Sequence, residues 1–599
     1  DSGLGIKVDG ASSLNNATLS GTSPNGKGVE IAGNLSGNNG SAVHGGTTNG
    51  SGVDVAPNAA LTGGGSDDPL AVTGNASGNT GTGVQLEGNN TLDNTTLAGN
   101  ATNGTGIDID GPLTNKGNSS VDGKATEGEG VQLSGAISGG KINGTSDSGL
   151  GIKVDGASSL NNATLSGTSP NGKGVEIAGN LSGNNGSAVH GGTTNGSGVD
   201  VAPNAALTGG GADDPLAVTG NASGNTGTGV QLEGNNTLDN TTLAGNATNG
   251  TGIDIDGPLT NKGNSSVDGK ATEGEGVQLS GAISGGKING TSDSGLGIKV
   301  DGVSSLNNAT LSGTSPNGKG VEIAGNLSGN NGSAVHGGTT NGSGVDVAPN
   351  AALTGGGADD PLAVTGNSSG NNGTGVQLEG NNTLENTTIK GNSTDGHGVE
   401  INGPITNNGN TIIEGNTANN SHGVHVDGTV GGGVINGNSG NSHGVFLDDD
   451  AVINDIVVGG YTGSDKPAVF ITMLDNIGEN VTINGGSVNK YTTGERARPD
   501  PTLEEKTSSE PTAQPQTEDK TDSLLKTRNL VLSSLEKQQL PPAIVTESEH
   551  NIAEKISIAV CIPDGLTTQY PEYVTTKQAL CDEHVLGRWK PLPWRSNRE

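Results

Sequence analysis

The stretch NGKGVEIAGNLSGNNGSAVHGG, residues 25–46, decides the fold. Val29 and Ile31 flank Glu30, the alternation of a short strand that turns both aliphatics to one face. Leu35 and Val43 follow, set apart by Gly and Asn. Four large aliphatics in about 23 residues cannot form a core alone. The layout recurs, however, as Val84, Leu86, Leu92 and Leu97, and again as Ile107, Ile109, Leu113 and Val121. Stacked on its neighbours, each unit extends one continuous core.

The unit carries a mark, G-x-G-[VI]-x-[VIL]. Its first aliphatic falls at Ile6, Val29, Val53, Val84, Ile107 and Val131, and the spacings of 23, 24, 31, 23, 24 and 21 close a longer period of 146 residues. That longer period starts at Asp1, Asp147 and Asp293. Copies one and two are nearly identical, with Ser66 replaced by Ala212, and copy three follows closely to about Leu384. The mark continues at Val399, relaxes at Val424, Val445 and Val469, and stops near Tyr491.

These periods predict an all-β chain: a right-handed parallel β-helix solenoid of about 20 coils, three short strands to a coil. At about 4.8 Å per coil the rod would be roughly 95 Å long. Gly and Asn suit its turns because they tolerate positive φ, and stacked Asn can form side-chain ladders. The expected units are copy one (1–146), copy two (147–292), and copy three with divergent terminal coils (293–490). A disordered Pro/Glu/Thr-rich spacer (491–545) and a small two-cysteine element (546–599) follow. A short helix is expected from about Leu524 to Leu540, stopped by Pro541 and Pro542.

Composition sets limits on function. Aromatic residues make up 1% and hydrophobic ones 29% of 599 residues, with 110 Gly and a net charge of −34. Such numbers suit a disordered chain or a thin-cored solenoid, and the in-phase aliphatics favour the solenoid. The acidic balance argues against nucleic acid and anionic membrane as partners. No apolar run approaches the roughly 20 residues of a spanning helix. Asp1 opens in mid-repeat, so the expectation is the C-terminal part of a longer secreted protein.

The strongest chemical signal is N-x-[ST]. In copy one it occurs at Asn16, Asn34, Asn39, Asn49, Asn75, Asn89, Asn94, Asn100, Asn103, Asn118 and Asn143. Copy one has 18 Asn and 31 Ser or Thr, so chance would place about 4 such sequons and the 11 present are nearly a threefold excess. These asparagines are the glycosylation candidates, and a modified one must face solvent. Asn49 and Asn103 stand in turns just before a Gly-x-Gly.

Other motifs fail on chemistry. GTSPNGKG at 21–28 nearly spells a phosphate loop, but Gly28 stands where Ser or Thr is required and Lys27 fills a variable position of the mark. NGTGIDID from Asn103 is similar to a calcium-binding nonapeptide, but its period and the placing of Asp108 are wrong. Asp448, Asp449 and Asp450 form the one dense acidic run in the coils, where a solvated cap is expected. His397, His422 and His443 fall at the x position of the mark, with no metal-ligand spacing. No catalytic, cofactor-binding or metal residue is expected, and the chain reads as non-enzymatic.

The coils from Gly3 to about Val488, the dense sequons, and Cys561 with Cys581 together resemble the two-partner secretion adhesins. These are filamentous-haemagglutinin-like proteins, and the likeness is to the high-molecular-weight glycosylated type. The resemblance implies an outer-membrane two-partner transporter and a cytoplasmic glycosyltransferase as partners. It also implies a disulfide between Cys561 and Cys581 that holds the rod at the cell surface, and a role in attachment to host cells or other bacteria. Autotransporters share the β-helix but end in a membrane barrel, whereas this chain ends Trp-Arg-Ser-Asn-Arg-Glu. A structural biofilm-matrix protein and a β-helix polysaccharide-degrading enzyme are the alternatives. The sequence names no receptor.

Overall fold

A computed structural model describes residues 3–473 and 476–484, and the backbone of 488–490. The expected spacer, the helix near Leu524 to Leu540, and the element with Cys561 and Cys581 lie outside the described residues. What is described is all-β: 60 short strands and no α-helix. They form three parallel sheets, one strand of each per coil, in a solenoid of about 20 turns.

The strand of the G-x-G-[VI]-x-[VIL] mark builds the first sheet. Val29 pairs in register with Val53 and Ile31 with Val55, and Val53 pairs with Val84 across the 31-residue coil. In the second sheet Leu35 pairs with Leu61, and in the third Val43 pairs with Val72. In the first and third sheets core aliphatics therefore stack on core aliphatics at every coil of copy one, as the short unit requires, while the second sheet shifts register at some coils, where Leu92 pairs with Asn115. Val29, Val43, Leu92, Leu97, Ile107 and Val121 are all 0% exposed and belong to one unbroken core. At roughly 25 cal/mol per Å² of apolar surface, that core is the main favourable term for a chain so poor in hydrophobic residues.

Close approach explains the Gly of the mark. A Cβ on Gly28 would lie 2.5 Å from the Gly46 nitrogen and 2.6 Å from the Gly52 oxygen. The corner between the third and first sheets has no room for a side chain.

The turns use Asn as expected. Asn16, Asn39, Asn58 and Asn94 have φ between 49° and 65°, and their counterparts do the same in later copies. Asparagine ladders run between coils: Asn39 Nδ2 donates to Asn15 Oδ1 at 2.5 Å, and Asn438, Asn416, Asn392 and Asn367 hand on a chain of such bonds.

The long coil holds a small hairpin between the second and third sheets. Gly64 donates to the Asp68 carbonyl and Asp68 to that of Gly65. Ser66, the one position that separates copies one and two, sits at its tip.

Candidate functional site

The solenoid sorts its asparagines. None of the 11 sequon asparagines of copy one is buried: Asn16, Asn34, Asn39, Asn49, Asn75, Asn89, Asn100 and Asn118 are exposed, while Asn94, Asn103 and Asn143 are half-buried. Among the described residues the buried asparagines are Asn90, Asn115, Asn236, Asn261, Asn382, Asn407 and Asn476, and none of these begins a sequon. Asn90 Nδ2 donates to the Ala56 carbonyl, a structural bond inside the turn.

The residue between the two aliphatics of the mark points outward, and coil stacking makes these residues a ladder along the first sheet. In copy one it runs Lys7, Glu30, Asp54, Gln85, Asp108 and Gln132. Lys27 is paired along this ladder. Its ammonium lies 2.9 Å from Asp54 and 3.5 Å from Glu30, and Lys173 and Lys319 repeat the arrangement. Burial pushes the Asp108 carboxyl up to about 6, reinforced by Asp110, Asp155, Glu129 and Glu87, and Asp254 is raised to about 6 likewise.

In the terminal coils the ladder changes character. Glu400, His425, Phe446 and Phe470 follow one another in register. Beside them stand His397, His422 and His443, from the x position of the mark. The two columns interleave. His397 stacks on His425 with ring centroids 4.7 Å apart, His422 on Phe446 at 4.4 Å, and His443 on Phe470 at 4.6 Å. Burial lowers the pKa of His422 to about 3, helped by His397, His425, His443 and Lys466. Burial lowers His397 as well, with His425 adding to it, and burial lowers His443.

The histidines, expected to be scattered, are thus brought together by coil stacking. Along the chain 25 residues separate His397 from His422, which matches no linear ligand motif. One coil of the solenoid spans that distance, and ligand atoms of His397, Glu400 and His425 come within 4.8 Å of one another. The signal that would have found them is the repeat itself: aligning the coils on the mark places the imidazoles in adjacent columns.

The Asp448 carboxylate lies 3.5 Å from His425 Nε2, while Asp449 and Asp450 are exposed in the turn that follows. The acidic run is thus split: Asp449 and Asp450 face solvent, and Asp448 faces the imidazole stack. Cys561 and Cys581 fall outside the described residues. Among the described residues no helix is long and apolar enough to cross a membrane. No family model, curated protein or solved structure matches the chain.

Proposed function

We propose that the chain belongs to a secreted bacterial adhesin, a rod that carries Asn-linked sugars on its outer face and attaches its cell to host cells or other bacteria. The sorting of asparagines supports this reading. Sequons crowd the accessible positions, and the asparagines that hold the interior together avoid them. The ladders accommodate the sugar: a side-chain amide has two N–H groups, so modification at Asn39 or Asn103 leaves one for the neighbouring coil.

The same reading assigns export to a two-partner transporter in the outer membrane and modification to a cytoplasmic glycosyltransferase. Cys561 and Cys581 would close a surface tether once oxidised outside the cell.

Intact mass of the protein from its own host, with and without the gene for the glycosyltransferase, tests the sugars. Several hexose-sized additions per 146-residue copy, mapping to sequon Asn, are expected. A mass equal to the bare polypeptide would remove glycosylation from the account. Deleting the chain should reduce adherence to epithelial monolayers. If deletion abolishes cell–cell aggregation and leaves adherence to host cells intact, the chain is a matrix protein instead.

A further inference from the structure

We infer that the terminal coils hold one transition-metal ion of the zinc, nickel or copper class between His397, Glu400 and His425. The three come from two successive coils: His397 and Glu400 from the coil of Val399, and His425 from that of Val424. Each offers one ligand atom, and the three atoms lie within 4.8 Å of one another. Ligands around a tetrahedral ion at about 2.1 Å stand roughly 3.4 Å apart, so closing the site draws the ligand atoms together by roughly 1 Å and turns the stacked rings of His397 and His425 out of parallel.

A second observation points to the same place. His425 Nδ1 is buried and has no hydrogen-bond partner. Its Nε2 faces the Asp448 carboxylate at 3.5 Å. In the neutral imidazole that carboxylate favours the tautomer with its proton on Nε2, and the Nδ1 lone pair is then unused. A carboxylate behind the imidazole, with a bare nitrogen in front, is the arrangement that orients a histidine toward a metal. Glu400 is held as well: Oε2 accepts from the Thr374 hydroxyl at 3.2 Å, and Oε1 remains to serve the ion. At His397 the competitor is the His422 N–H, which donates to Nδ1 at 3.3 Å. That bond is at the long end of the range, and coordination would exchange it for a stronger one.

Two imidazoles and one carboxylate select a borderline transition metal over calcium or magnesium, which prefer all-oxygen sites. The fourth position is left to water. Among the described residues the site occurs once. The matching positions are Thr105, Asp108 and Gln132 in copy one, and Thr251, Asp254 and Gln278 in copy two, with no imidazole among them. The ion would clasp two coils near the end of the rod.

The repeat supplies its own control. Changing His397→Thr and His425→Gln installs residue types that the same fold already accepts in copy one. The full chain, free of any affinity tag, is stripped with a chelator and titrated with Zn²⁺ by calorimetry. Cys561→Ser and Cys581→Ser are made in every sample, so thiols cannot contribute. One equivalent of Zn²⁺ per chain is expected, with no comparable binding of Mg²⁺. The double histidine variant should bind at least 100-fold more weakly while its circular dichroism is unchanged. Asp448→Asn should weaken binding about 10-fold. Equal Zn²⁺ binding by parent and double variant, or none by the parent at micromolar concentration, overturns the proposal.

Discussion

The ammonium of Lys27 lies 2.9 Å from the carboxylate of Asp54, one coil further along, and Asp54 is 1% exposed. Burial alone would lower the pKa of Lys27, but bonding to Asp54 and Glu30 outweighs it and the pKa rises. Burial also raises that of Asp54, and Lys27 offsets this only in part. Both pKa values rise, with opposite consequences for the charged pair: the raised lysine favours it, while the raised aspartate is not fully compensated. A buried pair of this kind adds little net stability and instead penalises any slip in register.

Lys27→Met should therefore destabilise the coils around it by about 2 kcal/mol, less than for a fully buried pair because Lys27 is partly in water. Adding Asp54→Asn should recover most of the loss. Hydrogen exchange of amides in residues 28–55 reads both effects. Equal damage from the single and double variants would mean that the pair is not coupled.

Strand register offers a sharper contrast. Val29 is 0% exposed in the thin core, so Val29→Asp buries a charge without a partner and should cost more than about 3 kcal/mol. Sequence reasoning expects Glu30→Lys to be nearly silent. The ion pair to Lys27 revises that: the change replaces an attraction by a repulsion on a half-exposed ladder, for about 1 kcal/mol. Proteolysis and circular dichroism should still rank Val29→Asp as far the worse, and the reverse order would refute the register.

The acidic ladder gives a pH dependence of unusual sign. Asp108 and Asp254 have folded pKa values of about 6, above the ordinary 3.8. Between those values the folded state binds more protons than the unfolded one, so stability falls as pH rises through the window. The coils around both residues should be better protected at about pH 4.5 than at pH 7.5, by roughly 1 kcal/mol per site after allowance for solvent. Asp108→Asn should flatten the response in its own coils and leave that at Asp254. Protection that rises with pH around Asp108 would contradict the assignment.

The core was legible because a period-2 alternation repeated in phase names its inward residues: Val29, Ile31, Leu35 and Val43 all pack where the pattern places them. Positive φ at Asn16 and Asn39 was legible too, since few other side chains tolerate it. The imidazole cluster was not. His397 and His425 are neighbours only through coil stacking, and their proximity depends on a length of 25 residues for that one coil. The Lys27–Asp54 pair was missed for the same reason. A solenoid writes its contacts at a separation of one coil, where linear motifs do not look.

That separation also governs the hairpin of the long coil. Asp68 reaches back to the preceding coil, where its carboxylate accepts the backbone N–H groups of Asn39 and, at 2.8 Å, Gly40. Asn39 has φ 52° and Gly40 φ 73°, a turn whose two N–H groups point the same way and suit an anion. Asp214 repeats the contact with Asn185 and Gly186, and those two bonds hold its carboxyl below the usual carboxylate range. The eight extra residues of this coil thus serve as a latch on its neighbour. Asp68→Ala should speed exchange of the Asn39 and Gly40 amides by about 10-fold and leave core amides such as Val43 unchanged. Asp68→Asn, which keeps one acceptor oxygen without the charge, should fall between. At Asp214 the sign is that of a depressed acid: protection of Asn185 and Gly186 is full above the ordinary carboxylate pKa and is lost as pH falls through the lowered one. If Asp68→Ala leaves both amides as slow as in the parent, the carboxylate is a bystander and the turn holds itself.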